Sequence, residues 1–312
     1  TRTEATNSLR LVFQDNATPT PNSFTNEWQF TITVSAVGES NVTGQWDFDK
    51  GDLSATVGEP LEFFDGPTGQ TASNTRFGTT TSFGIPDING VPAKVMFVPG
   101  NQGLTEVNLG YIMRHLIGAN GGGTRVNQYT LIFDLYWPSG APEGFASFLN
   151  CDLSNTSDGD FFLRTSDGGF GQGGGGYEGN MIMRLDQWQR VSFAVDMAAN
   201  PPVVTKYLDG KKHADQLAPN NVLDGPRRSL PLDGAVLFAD GAGDDERRPC
   251  YVNSIQIRAG KLTDAQLAAL GGPSAEGIPQ VIPATTVTGQ WDFDFEIADP
   301  KNPPTGKNPL GG

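Results

Sequence analysis

Cysteine, histidine and basic residues are what this 312-residue chain has least of: two Cys, two His, and 21 Lys and Arg against 35 Asp and Glu. Cys151 and Cys250 are too few for a disulfide-dense scaffold or a four-cysteine zinc site, and they leave room for one bridge in an oxidising compartment. One Cys151–Cys250 disulfide is therefore the expectation. Neither His115, in GYIMRHLIGAN, nor His213, in LDGKKH, sits beside a nucleophile elbow, so a Ser/His/Asp hydrolytic triad is disfavoured. His115 is expected to be partly buried and His213 to stand in solvent. No run of about 18 apolar residues occurs, which argues against a membrane-spanning helix. A net charge of −14 creates a field that repels phosphate backbones and anionic lipid, so neither nucleic acid nor membrane insertion is expected.

What the chain does have is turn chemistry. It contains 40 Gly and 22 Pro, and Gly/Asn/Asp/Pro clusters recur between short β-branched or aromatic runs. That is the pattern of an all-β protein. Residues 1–38 hold two alternating strands, SLRLVFQDN and EWQFTITVSAV, which read as the last hairpin of an immunoglobulin-like unit. Strands at roughly ten-residue spacing follow through residues 39–280: VTGQWDFD, LEFFD, KVMFVP, YTLIFDLYWP, GFASFLNCD, DFFLRTS, WQRVSFAVDM, VVTKYLDGKKH, AVLFADG and YVNSIQIRAG. Such spacing belongs to a two-sheet antiparallel sandwich. Asp209-Gly210 suits a two-residue type I′ hairpin, because both turn positions need positive φ. One helix is predicted over DAQLAAL, with Thr263 and Gln266 as a capping box and Gly271 closing it. Trp46, Trp137 and Trp188 alternate with apolar neighbours and are assigned to the core.

Residues 281–312 form a Pro/Gly-rich linker and tail carrying a second VTGQWDFD, 245 positions after the first. With no strands of its own around it, this copy is expected to seek a sheet edge, in this chain or another. Val287, Gln290, Trp291 and Phe293 are its candidate inter-subunit residues. Strand complementation of that kind would build a fibre from copies of the chain.

The run YTLIFDLYW, FASFLNCDLSNTSDGDFFL, GGFGQGGGGY, WQRVSFAVDM, KYLDGKK, VLFADGAGDDE and YVNSIQIRAGKLTDAQLAALGG resembles concanavalin A-like and laminin-G-like jelly rolls of large secreted bacterial proteins. The resemblance covers roughly residues 42–279 and implies a jelly-roll sandwich, frequently with calcium on a loop, in a binding rather than catalytic role. Two loops are dense enough in oxygen ligands for such an ion. One carries Asp152, Asn155, Asp158 and Asp160; the other carries Asp240, Asp244, Asp245 and Glu246. If glycan binds, Phe170 and Tyr177 on the glycine-rich stretch are candidate stacking platforms. That stretch lacks the GK[ST] ending of a phosphate-binding loop and reads instead as a closely packed strand or rim loop.

Jelly-roll glucanases carry paired acids in an ExDxxE or ExDxE pattern on one strand face, and the chain has none. Asp47-Phe-Asp49-Lys50 lacks the third acid, and Asp292-Phe-Asp294-Phe-Glu296 begins with Asp. The sequence thus points to a non-catalytic recognition or adhesion protein, extracellular or at a cell surface, binding glycan or a surface protein with calcium support. A fibre subunit is the alternative.

Overall fold

The computed structural model describes the strands β1 (Ala5–Gln14) and β2 (Ser23–Ile32), and residues 41–282 except 102, 141–142, 175, 178–180 and 242–245. Asp244, Asp245 and the second VTGQWDFD, with Val287, Gln290, Trp291 and Phe293, lie outside the described residues. Strands β1 and β2 pair antiparallel from Ala5↔Ile32 to Gln14↔Ser23.

Residues 41–282 build an all-β antiparallel sandwich of two sheets. The larger sheet runs β14 (Lys211–Gln216), β13 (Val203–Leu208), β12 (Trp188–Asp196), β8 (Gln128–Tyr136), β16 (Cys250–Ala259), β6 (Lys94–Val98), β5 (Arg76–Thr79). Its eighth strand, β3 (Val42–Trp46), pairs with Ile255–Arg258 of β16, beyond the stretch Cys250–Val252 that β6 occupies. The smaller sheet runs β11 (Gly169–Gln172), β10 (Phe161–Arg164), β9 (Phe145–Asn150), β15 (Ala235–Leu237), β7 (Leu109–Met113), β4 (Glu62–Asp65). The predicted strands of residues 39–280 are thus present, while β5 and β7 were not legible because their short runs lack clear alternation. The glycine-rich stretch enters the sheet as β11, where a Cβ on Gly171 would lie 2.6 Å from the Gln216 side chain. Only glycine fits there.

Alternation decides what lies between the sheets. Leu131, Phe133 and Leu135 of β8 and Val191, Phe193 and Val195 of β12 all point inward and are fully buried. An aromatic spine joins the layers: Phe193 stacks on Phe161 at 4.3 Å and meets Phe148 edge-on at 5.5 Å, and Phe148 meets Phe133 at 5.5 Å. Ring pairs in these geometries contribute about 0.5–1.5 kcal/mol each beyond the apolar area they bury. Trp46 and Trp137 join this core. Trp188 does not; it has the outward parity of Arg190 and packs half-buried against Tyr136, its indole N–H donating to the Pro86 carbonyl at 2.7 Å.

Asp209 and Gly210 both take positive φ, 50° and 74°, in the β13–β14 hairpin. The helix α3 (Asp264–Leu270) carries the Thr263–Gln266 capping box, and Gly271 closes it at φ 62°. Two shorter helices, α1 (Gln70–Asn74) and α2 (Thr80–Phe83), escaped prediction because four or five residues carry no helical period. Among the described residues no helix is long and apolar enough to cross a membrane.

From α3 the chain runs back over the outer face of the large sheet. Leu262, Leu267, Leu270 and Ile278 cover Ile132, Ala194 and Tyr207 there. In β3, Trp46 points inward, while Gln45 and, just past the strand, Asp47 lie under this strap. Gln45 Nε2 donates to the Ile278 carbonyl at 3.0 Å, and Ser254 Oγ donates to Asp47 at 2.6 Å.

Candidate functional site

The loop between β9 and β10 is organised by its own first carboxylate. Asp152 accepts from the Ser154, Thr156 and Ser157 main-chain N–H groups at 2.9, 2.9 and 3.1 Å, and from all three hydroxyls. Burial pushes the Asp152 pKa upward, but these hydrogen bonds overcome it and hold the carboxyl well below the usual range. Asp152 is therefore committed to the loop. Asn155, at φ 52°, accepts from Asn150 Nδ2 at 3.1 Å and is buried. Asp160 is buried as well: it accepts from Cys151 N at 2.7 Å, Arg227 Nε at 2.8 Å and Arg228 N at 3.2 Å. All three thus spend side-chain oxygens on hydrogen bonds within the protein.

Three of the other acids converge. Gly241 lets the loop after β15 lie directly on Asn155, since a Cβ there would fall 1.7 Å from the Asn155 carbonyl oxygen. Gly159 N donates to Asp240 Oδ1 at 3.0 Å, and Ser147 N donates to the Glu246 carbonyl at 2.8 Å. The result is that Asp158, Asp240 and Glu246 bring carboxylate oxygens within 4.8 Å of one another. Arg227 lies alongside, 3.4 Å from Asp158.

Tyr177 stands next to these acids. Burial, then the charges of Glu246 and Asp158, push its hydroxyl up to about 12. Its half-buried ring packs 5.2 Å from Phe145 and 6.5 Å from Phe162, and the Arg164 guanidinium lies 5.6 Å from its centre. Phe145 and Arg164 are opposite each other in the β9–β10 register, a pairing the sequence shows only once that hairpin is known. Phe170 is elsewhere: it is fully buried, edge-on to Phe193 at 6.3 Å, so it offers no platform to a ligand.

Cys151 and Cys250 are free thiols, contrary to the expected bridge. Cys151 follows the end of β9 in the small sheet and Cys250 begins β16 in the large one. Burial raises both thiol pKa values far above the usual range, so neither is a ready nucleophile. His213 also differs from expectation: it is half-buried with its ring 5.2 Å from Phe170, because β14 turns that side of the hairpin towards β11. His115 is fully buried, with Nε2 2.7 Å from the Pro231 carbonyl oxygen.

The Asp152 loop has a pH signature. Its folded-state pKa is depressed, so its stabilisation is complete above the unfolded-state value of about 3.9 and is lost as pH falls through the folded-state value. Asp152→Asn is expected to melt several degrees below the parent protein at pH 7, with the gap closing at the acid limit of folding. Thermal scans across pH 7 to 2.5 check this; a gap that widens with acid is the contrary result.

The fold and site together define a two-sheet β-sandwich with an acid cluster beside an aromatic face. No family model matches the chain, and no curated protein matches it in sequence. Among solved structures it is similar to domain 4 of AbnA, a GH43 extracellular arabinanase from Geobacillus stearothermophilus, solved in complex with arabinotriose. That likeness has 16% identity and a TM-score of 0.44, over 73% of this chain and 96% of the other. It is also similar to the botulinum neurotoxin type G receptor binding domain (10% identity, TM-score 0.42) and to the serotype D binding domain (10%, 0.44). In both, 73% of this chain matches 50% of the toxin domain, so the chain spans about half their length.

Proposed function

We propose that this chain is a non-catalytic recognition or adhesion module, extracellular or at a cell surface, in which a calcium ion supports a binding face for glycan or a surface protein. The observation that carries this reading is the convergence of Asp158, Asp240 and Glu246 beside the Tyr177 ring. Three carboxylates supply only hard oxygen donors, the set calcium prefers. A cation about 2.3–2.6 Å from each oxygen spans opposite ligands about 5 Å apart, which suits the 4.8 Å spread found here. Calcium bound there would tie the β9–β10 loop to the segment carrying Asp240 and Glu246. Tyr177, Phe145 and Arg164 then present the kind of surface on which a sugar ring stacks and hydrogen-bonds. Asp47, the nearest match to a catalytic acid in a complete strand, is spent on Gln45 and Ser254, which supports the non-catalytic reading.

Metal removal tests this. Calcium at about a hundred times its Kd should add about 2.7 kcal/mol to the folded state, raising the melting temperature by several degrees, and EDTA should reverse it. Asp240→Asn should abolish the shift. On an array of neutral glycans, Tyr177→Ala and EDTA should each remove binding. A melting temperature indifferent to calcium, with array binding intact in EDTA, would sink the proposal.

A further inference from the structure

A groove of about 650 Å³ opens between Arg125, the loop 151–157 and the segment 226–233, and none of the three clustered acids lines it. Its distinctive group is Arg125. The main chain fixes this residue on both sides: its N–H donates to Asp224 Oδ1 at 2.8 Å, and its carbonyl accepts from Asn120 N and Asn127 Nδ2, both at 3.1 Å. The side chain is not matched in the same way. Its Nε has no access to solvent and no hydrogen-bond partner, and no described residue forms an ion pair with the guanidinium. By contrast, the buried Arg190 and Arg258 have Nε partners, and Arg228, whose Nε also lacks a hydrogen bond, is held through its terminal nitrogens. Nε is as closed to a ligand as to water, so an acceptor from outside would meet the terminal Nη groups, which no hydrogen bond or ion pair among the described residues engages.

The groove carries two acids, and neither neutralises that charge. Asp152 is saturated by six donors of its own loop, and Asp233 is exposed at the rim. The remaining lining is of two kinds. Ser154 and Ser157 line the groove and use their hydroxyl hydrogens on Asp152, so their oxygens are left as acceptors. Pro226 and Pro231 give apolar walls.

From these features we infer that the groove binds a carboxylate-bearing sugar unit of an acidic glycan. The planar guanidinium fork pairs with a carboxylate by two parallel hydrogen bonds. Serine oxygens accept from sugar hydroxyls, and proline walls cover the C–H face of a pyranose ring. The volume lies within the range of about 300–1,000 Å³ typical of small-molecule sites. A net charge of −14 disfavours polyanions, so a ligand with an isolated carboxylate is selected over a polyphosphate. The site is independent of the calcium reading.

The test is an NMR titration of the full ¹⁵N-labelled chain with methyl glucuronide, methyl glucoside and sodium sulfate, following the Arg125 Nε–H signal. Methyl glucuronide should move that signal saturably and bind at least tenfold more tightly than methyl glucoside. Arg125→Met should weaken glucuronide at least tenfold. If the Met variant does not fold, the wild-type Arg125 signal, compared with those of the other arginines, decides alone. Glucuronide leaving that signal in place, or glucoside binding as well as glucuronide, overturns the inference. So does sulfate matching glucuronide at the same signal, which would mark a simple-anion site.

Discussion

Arg190→Met is expected to lower the unfolding free energy by about 3–5 kcal/mol, the range for breaking a buried ion pair from one side. Arg190 on β12 and Asp134 on β8 face each other across the outer surface of the large sheet, both essentially inaccessible. The guanidinium holds the carboxylate with two 2.7 Å hydrogen bonds. It also donates to the Leu270 and Gly277 carbonyls, clamping the end of α3 and the strap beyond it onto the sheet. Burial pushes the Asp134 pKa upward even with Arg190 opposing it. Without Arg190 the carboxyl will be raised further. A raised folded-state pKa contributes stability that is present below the unfolded value of about 3.9 and is lost as pH rises through the folded value. The defect should therefore be larger at pH 8 than at pH 4.5, and Asp134→Leu in the same chain should recover part of it. Urea unfolding at the two pH values measures this; a loss under about 1 kcal/mol at pH 8 contradicts the role assigned to the pair.

That pair also marks where sequence reading stops. In WQRVSFAVD the alternation correctly sends Val191, Phe193 and Val195 into the core. The same rule sends Arg190 and Ser192 to solvent, yet both are buried, because α3 and residues 271–282 cover the outer face. Period-two patterning identifies which face a residue takes, not whether a later segment returns to cover that face. VTGQWDFD behaves alike: Trp46 is legible as core, whereas the roles of Gln45 and Asp47 depend on Ile278 and Ser254, more than 200 positions away. The acid-rich loops were legible from carboxylate density. Which acids converge was not, since Asp152 turns back on its own loop, Asp160 is claimed by two arginines, and the approach of the loops depends on Gly241. Nor does sequence spacing say how two buried cysteines are aimed, and Cys151 and Cys250 are free thiols.

Asp160→Asn is the second substitution with a large expected effect, again about 3–5 kcal/mol, for it removes the counter-charge of two arginines at once. Arg228 is fully buried with its Nε 3.9 Å from Asp160, and Arg227 Nε lies 2.8 Å away. An asparagine keeps the shape and can still accept from Cys151 N, so the loss is electrostatic rather than a cavity. It also reaches the acid cluster. With Asp160 neutral, Asp158 becomes the only remaining carboxylate among the described residues in the ion pairs of Arg227, and a cation sharing Asp158 must compete with that guanidinium. Asp160→Asn should thus weaken calcium at least tenfold in addition to destabilising the fold. Asp158→Asn supplies the contrast: its side chain is 43% exposed, so it should cost little stability, as expected for an exposed ion pair, while weakening calcium comparably. Denaturant melts and calorimetric calcium titrations on the two variants separate support from coordination. If Asp158→Asn proves the more destabilising, or if Asp160→Asn leaves the fold unmoved, the division of labour between these two aspartates is wrong.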